Sequence, residues 1–306
     1  METTALTTRV IAGALYARSA TPYAFDLRVH ELGHGHVEAT AMPRHAWHEV
    51  AALSLEAEHD YAQCVADDAP PTRQELLDRA ADNRDRATRR ARTMVRRLAK
   101  AKGLSVLLTL TYRENVIDRS RMARDFDVFR KRVNRVLNPG EVAGKNLDFV
   151  CVFERQKRGA WHAHIAVPRI LTHYMARGQL VRSYDLLRSI WQAVVGEFEG
   201  KTGGNIDVSR NKRVSRSTAK LAAYLSKYIG KTFDQAEKFV NSYSASGRAL
   251  PAAVTERVLT TSQCDAISAL VGLIRGEIDA PGIVFHQAVI DGGGYYLCLS
   301  PPDRGR

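Results

Sequence analysis

The segment Leu221-Ala-Ala-Tyr-Leu-Ser-Lys-Tyr-Ile-Gly-Lys231 holds two tyrosines four residues apart, Tyr224 and Tyr228, each followed three residues later by a lysine, Lys227 and Lys231. On a helix, residues at i and i+4 share a face, so both phenols would project toward one place. Leu221, Leu225 and Ile229 form an apolar row beside them that would seat such a helix on a core. A phenol is a nucleophile whose phosphate ester can be exchanged. A neighbouring ammonium group neutralises phosphate charge and favours the phenolate. The set therefore suits repeated attack on a phosphodiester. Read for packing alone, the same pattern is an amphipathic helix with a Tyr/Lys face at a surface.

A second constellation is Trp161-His162-Ala163-His164-Ile165. Residues two apart on a strand face the same side, so both imidazoles can share a cation. The run Leu147–Arg155 precedes it and Ala160–Val167 contains it, with a short polar turn between them, which predicts a hairpin. If Lys157-Arg158-Gly159 is a three-residue loop with Gly159 in the left-handed position, Gln156 pairs with Ala160 and Glu154 lies across from His162 on the same face. A loop of two or four residues would put Phe153 there instead. Two imidazoles and a carboxylate leave coordination positions open and suit Mg²⁺, Mn²⁺ or another divalent ion that binds phosphate oxygens. Asp207 and Gln156 are weaker candidates, as ligands or as partners of the ligands.

His30-Glu31-Leu32-Gly33-His34 spells H-E-x-x-H, the zinc-hydrolase motif in which two His one helical turn apart bind the metal. That chemistry needs a helix. Here Gly33 and Gly35 bracket His34, a strand-like run (Phe25–His30) leads in, and Val37 and Thr40 stand where the extended motif requires Gly and His. We read the match as a coincidence of letters, and His36, His45, His48 and His59 as surface residues.

Around these groups the expected elements are as follows. Trp47, Val50, Leu53 and Ala57 recur at helical spacing within Ala46–Asp67. Thr72 and Glu75 form a capping box opening a helix that Gly103 stops. From Arg86 to Lys102 this helix carries eight basic residues and no acidic one. A helix dipole acts only over the last turn, so a phosphate-tracking face that includes Arg89, Arg92 and Arg96 accounts better for the run. Leu104–Tyr112 reads as a central strand, Asp118–Leu137 and Tyr184–Glu199 as amphipathic helices, and Gly203–Val208 as a short strand. A basic loop with Arg210, Lys212, Arg213 and Arg216 then leads into the tyrosine segment. Thr261–Gly276 reads as a helix, and Ile283–Ile290 with Tyr295–Leu299 as a closing hairpin across Asp291-Gly-Gly-Gly294. The order predicts an α+β fold, a mainly antiparallel central sheet with helices packed on it. It also predicts a mostly helical region at 1–102, a central domain at 103–245, and a small helix-plus-hairpin extension at 246–306.

Over its 306 residues the chain has 45 Lys and Arg against 33 Asp and Glu, a formal charge of +12 that implies a polyanionic partner. No apolar run reaches membrane-spanning length, and the N-terminus lacks a signal-peptide pattern. The four cysteines lie far apart with no C-x-x-C pair, which points to a reducing cytoplasm, and no G-x-x-x-x-G-K-[ST] phosphate loop is present.

The strand LLTLTY, the strand WHAHIAV and the helix YLSKYIGK stand in the motif order of rolling-circle replication initiators, the HUH endonucleases. The doubled tyrosine resembles their two-tyrosine branch, typified by the gene A initiators of single-stranded DNA phages. The likeness spans about Leu104–Lys231. It departs at Ala163, where the family usually has a bulkier apolar residue. Both tyrosines follow the histidines, whereas relaxases place theirs ahead of them. The resemblance implies nicking and rejoining of single-stranded or hairpin origin DNA in a bacterial host cell, with His162, His164 and Glu154 holding the metal. Tyr224 or Tyr228 would form a 5′-phosphotyrosine, with Lys227 and Lys231 beside them, and a host helicase and polymerase would be partners. The alternative is a non-catalytic basic nucleic-acid-binding regulator.

Overall fold

The computed structural model describes residues 8–54, 56–57, 59–60, 72–137, 147–176, 178–199, 203–209, 217–233 and 243–302. The chain divides into two compact units, one made mainly of Asp82–Pro251 and the other of Met1–Glu31, Val37–Ala81 and Ala252–Ser300. The fold is α+β with antiparallel sheets, and among the described residues no helix is long and apolar enough to cross a membrane.

The unit of Asp82–Pro251 is built on a five-stranded sheet. Its strands are β6 (Val106–Thr111), β7 (Val150–Arg155), β8 (Trp161–Val167), β11 (Asn205–Ser209) and β12 (Tyr243–Ala245), in the order β11-β6-β8-β7-β12. β8 lies in the middle and every one of its residues is buried. Covering both faces of a strand removes the polar/apolar alternation of a half-exposed one. One face carries Val106, Leu108, Leu110, Cys151, Phe153, Trp161, Ala163 and Ile165. It packs on α2 (Arg119–Leu137) through Met122, Phe126, Phe129 and Val133, and on α3 (Ser183–Glu199) through Leu187, Trp191 and Val194. The other face carries Leu107, Val150, Val152 and Ala166. There it meets α1 (Arg73–Ala101), through Ala91, Val95 and Leu98, and α4 (Thr218–Phe233), through Leu221, Ala222, Leu225 and Ile229. A hairpin of β9 (His173–Ala176) and β10 (Gln179–Arg182) lies outside this sheet.

In the other unit, β13 (Val254–Val258), β3 (Ala24–Gly33), β4 (His36–Arg44), β15 (Gly294–Ser300) and β14 (Val284–Ile290) form a sheet in that order, covered by α5 (Gln263–Leu273). The short α6 (Arg275–Ile278) follows α5. A second sheet joins β1 (Thr8–Ile11), β2 (Ala14–Arg18) and β5 (Trp47–Ala52).

Two sequence expectations are corrected here. The helix expected over Ala46–Asp67 begins as β5, a strand whose side chains are mostly exposed. Five strands precede α1, so 1–102 is not mostly helical. The segment 246–306 does contain the expected helix and hairpin, but it is not a separate extension. β13 pairs with β3, and β15 pairs with β4, closing one sheet from the two ends of the chain.

Candidate active site

The hairpin that carries the histidines has the register a three-residue loop demands. Gln156 N–H donates to Ala160 O at 2.8 Å, Gly159 takes φ +92°, and Glu154 lies opposite His162. Glycine is required at such a φ because a Cβ would clash with its own backbone. Thr109 of β6 lies opposite His164, and Asp207 of β11 lies opposite Thr109. Glu154, His162, His164, Thr109 and Asp207 therefore share one face of the sheet, the face toward α4.

His162 and His164 are buried, 7% and 6% exposed. Buried imidazoles need partners. His164 Nε2 lies 2.8 Å from Glu154 Oε2, and His164 Nδ1 lies 3.3 Å from Thr109 Oγ1. His162 Nδ1 lies 3.1 Å from the Gln156 amide, and buried His162 Nε2 has no hydrogen-bond partner among the described residues. An amide that accepts at His162 Nδ1 fixes the tautomer that leaves Nε2 with a lone pair. Burial, followed by the neighbouring His164, lowers the His162 pKa to about 4, so the ring is neutral at physiological pH.

α4 begins at Ser217, whose hydroxyl accepts from Lys220 N–H at 3.1 Å, and is seated by the fully buried row Leu221, Leu225 and Ile229. Ser226 Oγ donates to the Arg92 carbonyl at 3.3 Å, fastening α4 to α1. With that row facing the sheet, both half-buried phenols come to lie over the histidine strand. The Tyr228 ring stacks on His164 at 4.4 Å between centroids, and Tyr224 stands edge-on to His164 at 6.4 Å. Tyr228 O–H donates to the Tyr224 oxygen at 2.6 Å.

This geometry corrects one expectation. Lysines beside the phenols would ease their ionisation. Instead Tyr228 is held well above the ordinary tyrosine range by burial, by its hydrogen bond to Tyr224 and by the Glu154 charge. Lys227 is exposed on α4, and the side chain of Lys231 lies outside the described residues.

The donor types fit a divalent cation, and a buried ring nitrogen without a partner is the kind of atom a cation would satisfy. The three expected ligands do not converge on one point, however. Glu154 is engaged with His164, and among the described residues no group of three or more His, Cys, Asp or Glu side chains is placed to hold an ion. Gln156 and Thr109, which orient the two rings, belong to the site as much as the rings do. Thr109 was legible in the alternation Leu108-Thr-Leu-Thr111, which puts both threonines on the histidine face.

Of the phosphate-binding candidates, Arg89 and Arg92 are exposed on α1, and Arg96 is half-buried there. Arg210, Lys212, Arg213 and Arg216 lie outside the described residues. The H-E-x-x-H letters do not form a zinc site: His30 and Glu31 lie on β3, and Gly33, His34 and Gly35 make a turn with φ of 75°, 52° and 74°.

Residues 105–233 match the sequence profile of a family of replication-associated proteins, the ORF2 type. The matched stretch runs from β6 through α4, and so contains the histidine hairpin and both tyrosines. Comparison with curated proteins and with solved structures finds no match. The profile match supports a role in replication.

Proposed function

We propose that the chain initiates rolling-circle replication by nicking and rejoining single-stranded DNA through a 5′-phosphotyrosine, as the two-tyrosine HUH initiators do. The observation that carries this reading is the placement of both phenols against His164, with their oxygens 2.6 Å apart. Two nucleophiles at one point allow a second transfer without rebuilding the site.

Attack by one phenolic oxygen on the scissile phosphorus forms a tyrosine–phosphate ester and breaks the bond from phosphorus to the 3′ oxygen. The phenol sheds one proton and the departing 3′ oxygen gains one, so charge balances. A polymerase extends the free 3′-hydroxyl. After a circuit the second tyrosine cuts the regenerated origin, and the newly released 3′-hydroxyl attacks the first ester and closes the circle. The ester conserves the bond energy, so no nucleotide cofactor is needed. His162, His164 and Glu154 would hold a Mg²⁺ or Mn²⁺ ion, which when bound supplies Lewis-acid polarisation of the phosphate. Gln156 and Thr109 fix the two rings, and Tyr228 donates its hydrogen bond to Tyr224. Arg89, Arg92 and Arg96, with the basic residues Arg210, Lys212, Arg213 and Arg216, supply backbone contacts to origin DNA. Lys227 and Lys231 contribute positive charge on the helix of the nucleophiles.

A non-catalytic nucleic-acid-binding regulator is the second reading. It is favoured by the absence of a gathered three-ligand group among the described residues and by the upward shift of Tyr228. One experiment separates the two: single-stranded oligonucleotides tiled across the DNA that encodes the chain are incubated with the protein and Mn²⁺. The nicking enzyme yields a covalent adduct that survives boiling in detergent, is lost in EDTA and is absent from the Tyr224→Phe/Tyr228→Phe double variant. An adduct persisting in the double variant removes the proposed nucleophiles. Binding insensitive to EDTA with no adduct on any tile establishes the regulator.

A further inference from the structure

The largest groove of the Asp82–Pro251 unit is not the one beneath the tyrosines. It has a volume of about 830 Å³ and runs between α2 and the β12 edge. Its walls present five cations, Arg119, Arg130, Lys131, Arg135 and Arg248, against one carboxylate, Asp127. Asp127 pairs with Arg130 and with Lys131 (2.6 Å for the latter). The floor is Phe126, Phe149 and Phe153. Phe153 belongs to the sheet face that packs on α2, the reverse of the face bearing Glu154, His162 and His164. The groove is therefore a different site from the candidate active site.

We infer that this groove binds the sugar–phosphate backbone of a single strand of nucleic acid, as a second site on the side of the sheet away from the tyrosines. The argument is one of charge and length. Residues 127, 130, 131, 134 and 135 recur at helical spacing and form one stripe down α2, whose apolar face is already used by Met122, Phe126, Phe129 and Val133. From Arg119 to Arg135 the stripe extends roughly 24 Å at the rise of an α-helix. That is too long for one phosphate and suited to a run of several. A net excess of four cations along such a path is the electrostatic footprint of a polyanion. At the groove's other wall the Arg248 guanidinium lies over the Tyr243 ring at 4.9 Å, a flat cationic surface of the kind on which unpaired bases stack. The inference rests on the proposed function for taking the strand to be DNA, and places a length of it away from the cut.

The test uses the full chain with Tyr224→Phe and Tyr228→Phe, which cannot cleave, and a labelled oligothymidine followed by fluorescence anisotropy across a salt series. Adding Arg135→Ala and Arg248→Ala should weaken binding about tenfold at moderate salt and lower the salt-dependence slope by roughly 1.4, the value for two lost phosphate contacts. Arg135→Glu with Arg248→Glu should weaken it further. In the background with both tyrosines, the same alanine pair should leave adduct formation on a short oligonucleotide unchanged. An unchanged slope and affinity in the alanine and glutamate pairs overturns the inference even where nicking is observed. Loss of affinity in those pairs upholds the groove even where no adduct forms and the nicking reading fails. Displacement of the oligonucleotide by polyglutamate at equal monomer concentration overturns the inference in favour of an acidic protein partner.

Discussion

The Tyr228 ring lies flat on the imidazole of His164, centroids 4.4 Å apart and planes 21° from parallel. The stack is made by two periodicities meeting: a strand that shows His162 and His164 on one face, and a helix that shows Tyr224 and Tyr228 on one face. Tyr228 is thereby buried against a ring, while Tyr224 receives its hydrogen bond. The two phenols are close enough to alternate and differ in environment.

That difference sets an order of action. A phenolate at Tyr224 is stabilised by the Tyr228 O–H, whereas burial and the Glu154 charge oppose ionisation of Tyr228. Tyr224 is therefore expected to make the first cut. In single-turnover assays, Tyr224→Phe should slow adduct formation by a hundredfold or more. Tyr228→Phe should slow it about tenfold and move the rate–pH profile alkaline, because a hydrogen bond to a charged oxygen is worth ~1.5–3 kcal/mol. Equal first-cut rates in the two variants would refute the order.

The low pKa of His162, about 4, fixes two pH effects. The first is that Mn²⁺ affinity should not fall through His162 protonation until pH approaches that value. The second concerns stability. The ordinary imidazole titrates near 6.5 in the unfolded chain, so between about 6.5 and 4 the unfolded state takes up a proton that the folded state refuses. Stability from this residue is intact above 6.5 and falls as pH drops, on the order of 1.4 kcal/mol per pH unit. Urea denaturation at a series of pH values should show this slope in the wild-type chain and a shallower one in His162→Gln.

How much of this was legible in the sequence depended on how local the cause is. The Glu154–His162 register followed from one glycine, and Gly159 indeed has φ +92°. The capping box closed as written, with Glu75 N–H donating to Thr72 Oγ1 at 3.2 Å and Thr72 N–H to Glu75 Oε2 at 2.8 Å. The tyrosine helix declared itself by Leu221, Leu225 and Ile229. The failures are non-local. Trp47 and Val50 mimic helical spacing because β5 is mostly exposed and carries no alternating apolar signal. The pairing of β3 with β13 joins residues more than two hundred positions apart, and nothing near either strand announces it. The engagement of Glu154 with His164 is side-chain detail that register alone does not determine.

Gly159→Ala tests the hairpin. A Cβ at this position would meet only Ile117 Cγ2 at 3.5 Å and Arg155 Nη2 at 3.8 Å, which is ordinary contact, so the cost comes from φ +92° rather than from crowding. The expected loss is about 1–2 kcal/mol, seen as a lower urea midpoint at unchanged m-value. Relief of the strain by a changed loop would move Glu154 off its register with His162, and adduct formation should fall by more than the stability loss explains. Wild-type stability in this variant would show that the turn does not hold the register.

Glu154→Gln bears on both halves of the site at once, and the halves respond in opposite directions. The carboxylate is 2.8 Å from His164 Nε2 and is one of the groups that raise the Tyr228 pKa. Removing its charge should weaken Mn²⁺ binding at least tenfold in calorimetric titration, since an amide oxygen is a poorer ligand for a hard cation than a carboxylate. The same change should bring Tyr228 down toward the ordinary tyrosine value in an ultraviolet titration, because a negative neighbour no longer opposes the phenolate. A variant that binds Mn²⁺ as tightly as wild type while its tyrosine titration shifts would place Glu154 in the proton chemistry of the phenols and outside the ligand set. The metal would then rest on His162 and His164 without it.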